Sequence, residues 1–82
     1  MSPVVTVYSR EDCHLCDEAL AALDLIDREG LVVEVVDIES DDGLLARYLE
    51  RIPVIALDGV ELYEFRLDVD DLNQRLDTAA GR

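Results

Sequence analysis

Cys13 and Cys16 are the only cysteines in the chain, and His14 and Leu15 stand between them. They follow an apolar run, Val4 to Tyr8, and open a long helical pattern. On the first turn of a helix this spacing brings both sulfurs to one side, close enough to bond to each other. The same turn offers unpaired backbone N–H groups and the positive end of the helix dipole, which favour a thiolate over a thiol. A pair placed this way can pass two electrons by thiol–disulfide exchange. A bridge across so short a loop adds little stability, so redox or metal chemistry explains the pair better than stapling does. For a metal, the pair supplies two thiolates and His14 is the sole histidine. A four-ligand site would then need carboxylates or a second copy, and no metal ligands are assigned.

The elements that must position this pair belong to a chain of 82 residues, read as one domain over 1–82. Twenty acidic residues face seven basic ones, all arginine, for a net charge of −13. Such a balance excludes a phosphate backbone, which needs a positive stripe, and an anionic membrane surface. Solubility or a high-salt habitat accounts for the charge without giving it a functional role. No basic segment followed by an apolar stretch opens the chain, and no apolar run approaches the roughly 20 residues of a membrane span. The expectation is a cytoplasmic monomer.

Val4-Val5-Thr6-Val7-Tyr8 is β-branched and aromatic and reads as a strand buried on both faces. Asp12 or a neighbour is expected to cap the next helix. Leu15, Cys16, Ala19, Leu20, Leu23 and Ile26 recur at helical spacing, and Gly30 reads as the residue that ends the helix. Leu31 to Ile38 is a second strand-like run, joined to the first by a helical crossover and therefore parallel to it. Leu44, Leu45, Tyr48 and Leu49 mark a short helix. Ile52 to Leu57 reads as a third strand with Pro53 at its start, where a missing N–H is tolerated. Asp58-Gly59 signals a hairpin into a fourth, alternating strand, Val60 to Phe65. Asp68 caps a last helix carrying Val69, Leu72 and Leu76, and Thr78 to Arg82 reads as a frayed tail. The order β-α-β-α-β-β-α implies an α/β fold, a four-stranded mixed sheet with three helices on its faces.

This order, with Tyr8-Ser9-Arg10 leading into Cys13-x-x-Cys16 and the Ile52-Pro53 step downstream, resembles the glutaredoxins of the thioredoxin superfamily, most of all their short bacterial relatives. The resemblance implies a thioredoxin-like fold. It makes Cys13 the exposed nucleophile and Cys16 the buried resolving thiol. Arg10 would support the thiolate and the carboxylate of bound glutathione. A cis peptide bond at Pro53 would bring the backbone of Ile52 beside Cys13 to pair with the substrate. Asp70-Asp71 stand where the family has an acidic step at its final helix.

Three features depart from the family. His14 replaces the usual proline, and a protonated imidazole there would lower the Cys13 pKa. Asp17 and Glu18 follow the motif where basic residues are common, and their charges oppose a thiolate. The family's Gly-Gly pair is missing, with Tyr63-Glu64 and Phe65-Arg66 in its region. Tyr8, Tyr48, Tyr63 and Phe65 read as packing residues, and Arg66 as one half of a surface salt bridge ahead of a second cation near the site. The expected function is thiol–disulfide oxidoreduction on a disulfide-containing protein or a small-thiol mixed disulfide. No cofactor is bound in this reading; glutathione or another low-molecular-weight thiol is the co-substrate. The alternative is a non-catalytic binding module of the same fold, or a metal or iron–sulfur carrier using the same cysteines.

Overall fold

A computed structural model describes residues 3–26 and 28–80. Strand β1 (Val4–Ser9) leads through helix α1 (His14–Asp24) to strand β2 (Val32–Asp37). A 3₁₀ turn at Ile38–Ser40 and helix α2 (Asp42–Tyr48) precede strands β3 (Val54–Leu57) and β4 (Val60–Glu64), and helix α3 (Val69–Ala80) closes the fold. The sheet order is β2-β1-β3-β4. The β1–β2 pair is parallel, Val5 facing Val33, and the β1–β3 pair antiparallel, Val7 facing Ile55. This is the α/β, four-stranded mixed sheet with three helices that the residue pattern implies.

Alternation along β1 divides the apolar residues between two cores. Val5 and Val7 pack with Ile55, with Ala19 and Leu23 of α1, and with Leu72 and Leu76 of α3. Tyr8, one residue on, turns to the other face and joins Val54, Ile38, Ile52 and Tyr48 of α2. Cys16 belongs to this second core although it sits on α1. The cysteine pair thus lies at the end of the sheet where the two helical layers meet.

Several elements differ from the sequence expectation. Strand β1 is closed on one face only: Val5, Val7 and Ser9 are buried, while Val4, Thr6 and Tyr8 are half-buried. Its second face is covered chiefly by the 3₁₀ turn and α2, and α2 is seven residues long. Helix α1 ends at Asp24, well before Gly30, because the N–H groups of Leu25 and Ile26 turn back to the carbonyls of Ala22 and Leu23 at 3.2 and 3.0 Å. Gly30, at φ 84°, serves the next turn instead. Helix α2 stops at Tyr48, leaving Leu49 41% exposed. Ile52 and Pro53 precede β3 rather than lie in it. Strand β4 ends at Glu64, which leaves Phe65 outside the sheet. Helix α3 continues through Thr78, whose hydroxyl donates to the Gln74 carbonyl at 3.0 Å; residues 81 and 82 lie outside the described residues. Asp68 caps α3 as expected, accepting from the Asp71 N–H at 3.0 Å.

A polar network ties α2 to β4. The bulge opposite Ile55 and Ala56 sets Glu61 against Ala56 and Glu64 against Val54, so both acids share one face of the sheet. Arg51 donates to Glu61 at 2.7 Å and to Glu64 at 2.9 Å, and the Tyr48 hydroxyl donates to Glu61 at 2.7 Å. Tyr48 stacks on Tyr8 with ring centroids 4.3 Å apart. Burial, and then the bond to Glu61, push the Tyr48 phenol up to about 12.

The Arg51 hydrogen bond, and then that of Tyr48, hold the Glu61 carboxyl below its ordinary range. A carboxylate whose folded pKa is depressed stabilises the fold above its unfolded pKa, about 4.3, and loses that contribution as pH falls through the folded value. Glu61→Gln is therefore expected to lower Tm at pH 6. The difference from wild type should shrink below about pH 4.3 and vanish near pH 2. Thermal melts of both proteins across that range check this, and a difference independent of pH excludes it.

Candidate active site

Strand β1 delivers the chain to a polar turn in which Asp12 has φ 59°, and Cys13 then caps α1 in extended conformation. Of the expected caps, Asp12 or a neighbour, it is the neighbour Cys13 that serves: its Sγ accepts from the Cys16 N–H at 3.2 Å. The Cys13 carbonyl takes the Asp17 N–H at 3.0 Å, the first bond of the helix. With Cα atoms 5.2 Å apart, Cys13 and Cys16 are joined as a disulfide. Cys13 is half-buried, while Cys16 is only 1% exposed and sealed by the second core. Only one sulfur of the pair is open to an incoming molecule.

Ile52 and Pro53 meet this pair from the start of β3. The bond between them is cis, Pro53 is fully buried, and Ile52 packs in the same core as both cysteines. The Pro53 carbonyl accepts the Phe65 N–H at 2.9 Å, which fastens the segment after β4 to the site. There the Arg66 N–H reaches back to the Glu64 carbonyl at 2.7 Å, a three-residue turn centred on Phe65 at φ 66°. An open groove of about 170 Å³ runs from this turn along α1, lined by Leu15, Glu18, Ala19 and Ala22 on one side and by Phe65, Arg66 and Leu67 on the other.

The remaining candidates are placed less centrally. Arg10 precedes the motif, and its guanidinium rests 3.4 Å from Glu39 of the 3₁₀ turn. The His14 side chain is 89% exposed, with Nε2 3.9 Å from Glu18 one turn along α1. Asp70 lies exposed on the first turn of α3. Asp71 is engaged within the protein, accepting from the Tyr63 hydroxyl at 2.6 Å and from Arg75 at 2.8 Å. Those two bonds, Tyr63 first, hold its carboxyl below the ordinary range. Among the described residues no group of three His, Cys, Asp or Glu side chains is placed to hold a metal ion. No described helix is long and apolar enough to cross a membrane.

A family model for the glutaredoxin-like domain (DUF836) matches residues 4–77. The chain belongs to that family. Among solved structures, the glutaredoxin-like domain is similar to protein XcR50 from X. campestris, a structural-genomics target. The two share 36% identity over 90% of this chain and 96% of that one, with a TM-score of 0.65. A mutant thioredoxin from Halobacterium salinarum NRC-1 is 20% identical over 94% of this chain and 74% of its own, also at TM-score 0.65. A malarial protein, 16% identical, covers 95% of this chain and 97% of its own at TM-score 0.68. These last two establish the fold alone: the glutaredoxin-like domain has a thioredoxin-like fold. No curated protein matches it.

Two residues of the groove were misread from sequence. Phe65 is 46% exposed rather than packed, and Arg66 makes no ion pair among the described residues. The signal lay in the departure from the glutaredoxin pattern. Bulky residues in the region of a Gly-Gly pair mark a backbone that demands positive φ, and a side chain held there is thrown outward.

Proposed function

We propose that this glutaredoxin-like domain is a thiol–disulfide oxidoreductase cycling between a Cys13/Cys16 dithiol and the Cys13–Cys16 disulfide. The observation that carries this reading is the asymmetry of the pair: an accessible Cys13 sulfur already receiving a backbone N–H at a helix start, backed by a Cys16 that solvent does not reach. In the reduced protein the Cys13 thiolate attacks one sulfur of a substrate disulfide. The substrate S–S bond breaks, a mixed disulfide forms, and the first substrate thiolate leaves and takes a proton. Cys16, losing its proton, then attacks the Cys13 sulfur. The mixed disulfide breaks, and the second substrate thiol departs. Two electrons and two protons have passed to the substrate. Two equivalents of a low-molecular-weight thiol such as glutathione restore the dithiol and leave as their own disulfide.

In this reading Arg10 exchanges its 3.4 Å pairing with Glu39 for the carboxylate of that thiol, Ile52 supplies backbone to pair with the substrate, and Pro53 fixes the strand start. His14 and Asp70 are exposed. Asp71 orders the start of α3 through Tyr63 and Arg75. The competing reading as a metal or iron–sulfur carrier needs ligands from a second copy or another molecule, since the described residues hold no group of three His, Cys, Asp or Glu side chains placed for a metal ion.

Cys13 alkylation against pH in the reduced protein, followed by turnover of hydroxyethyl disulfide with glutathione supplied, tests the proposal. The expected inflection lies below the free-thiol value of about 8.5, with turnover measurable. An inflection at or above that value without turnover overturns the reading.

A further inference from the structure

We infer that the groove between α1 and the Phe65–Leu67 segment receives one apolar side chain of a polypeptide disulfide substrate, whose neighbouring carboxylate is met by Arg66. This rests on the oxidoreductase reading and narrows its substrate to a protein. Both walls of the groove are tied through the chain to the residues of the reaction centre. Leu15 stands between the two cysteines in the chain, and the Phe65 N–H is fastened to the Pro53 carbonyl. Its floor is apolar, formed by Leu15, Ala19, Ala22 and Leu67.

Size decides between classes of occupant. Small-molecule sites usually enclose about 300–1,000 Å³, whereas this groove holds about 170 Å³ and is open. It suits a single side chain presented by a longer chain. Charge decides the neighbour. Arg10, Arg28, Arg47, Arg51 and Arg75 each meet a carboxylate of this protein. Arg66 alone among the described arginines does not, and it lies on the groove across from Glu18. In a chain of net charge −13 a cation left unpaired on this groove is available to an outside acid. The backbone agrees: a bulky residue at φ 66° is an uncommon conformation, and its consequence here is an exposed aromatic ring on the groove wall.

The test uses pre-reduced full-length protein in single turnover at about 0.3 M salt, where the Debye length falls to about 6 Å and the overall charge is screened. The probes are capped pentapeptides with cysteine at the centre, blocked as the mixed disulfide with 2-mercaptoethanol. Their flanks are symmetric, so the direction of binding does not matter. One carries Leu then Glu on each side of the cysteine, one Leu then Lys, and one Ser then Glu. Oxidised glutathione and hydroxyethyl disulfide complete the set.

The Leu–Glu peptide is expected to react about tenfold faster than Ser–Glu and about threefold faster than Leu–Lys. Phe65→Gly should erase the first ratio and Arg66→Glu reverse the second. Ratios are the readout, so an overall change of rate in a variant does not enter. Glycine accepts φ 66°, and Phe65→Gly is expected to keep Tm within about 3 °C of wild type. Equal rates on the three peptides, ratios unchanged in the variants, or oxidised glutathione reacting as fast as the Leu–Glu peptide overturn the inference while leaving the oxidoreductase reading intact. Failure of the wild type on hydroxyethyl disulfide as well as on every peptide overturns both.

Discussion

Cys13→Ser is expected to lose at least about a thousandfold in disulfide reduction, and Cys16→Ser to halt the reaction at its midpoint. The two outcomes differ because the structure gives the sulfurs different surroundings. The Cys13 sulfur is the one an incoming disulfide can reach, and it caps the helix where backbone N–H groups favour its anion. A serine hydroxyl there is neither ionised near neutral pH nor nucleophilic toward sulfur. Cys16 is sealed among Ile38, Tyr48, Ile52 and Val54, so its partner is the Cys13 sulfur rather than a bulky substrate. Without it, and with no small thiol added, the mixed disulfide on Cys13 has no exit. Intact mass spectrometry of the pre-reduced Cys16→Ser protein after exposure to hydroxyethyl disulfide should show one mercaptoethanol adduct, and Cys13→Ser none. An adduct on Cys16 in the Cys13→Ser protein, or undiminished turnover by it, would reverse the assignment of roles.

The parts of this fold that were legible in the sequence are those that depend on local periodicity. The β-branched and aromatic run Val4 to Tyr8, the helical recurrence of Ala19 and Leu23, and the Asp58-Gly59 turn each fix an element without reference to the rest. Element ends were less legible because tertiary contacts decide them. Gly30 has the chemistry of a helix stop, yet α1 had already turned at Leu25. The exposure of the second face of β1 depends on how far α2 reaches, and the length of α2 is set by Asp41 at one end and the burial of Tyr48 at the other. At the site, Cys13 and Cys16 declared themselves through spacing. The Phe65 turn did not, since its position depends on a hydrogen bond to Pro53, twelve residues earlier in the chain. Arg66 was misread for a related reason. Five other arginines in this acidic chain find carboxylates, and only the three-dimensional arrangement shows that Arg66 finds none among the described residues.

Leu72→Ala is expected to cost about 3–4 kcal/mol of stability, a large share of the total. A domain of this length has roughly 4–12 kcal/mol in all, so the variant sits near the edge of folding. Leu72 is completely buried and packs with Val5, Val7, Ile55 and Leu76, joining α3 to the two central strands. Its removal leaves a cavity between layers that cannot collapse without shifting the sheet. For a chain this small each kcal/mol moves Tm by about 4–8 °C, so a fall of at least about 12 °C should appear, with the urea m-value unchanged. Leu25→Ala provides the contrast: that side chain is 85% exposed, and its loss should stay within about 0.5 kcal/mol. The disulfide should not rescue the core. It closes a loop of sequence separation 3 at the start of α1, which removes little entropy from the unfolded chain. The Leu72→Ala penalty should therefore be the same in oxidised and reduced protein. A penalty that shrinks by half or more on oxidation would mean that the cysteine pair stabilises the α1–α3 layer, a structural role the short loop does not provide.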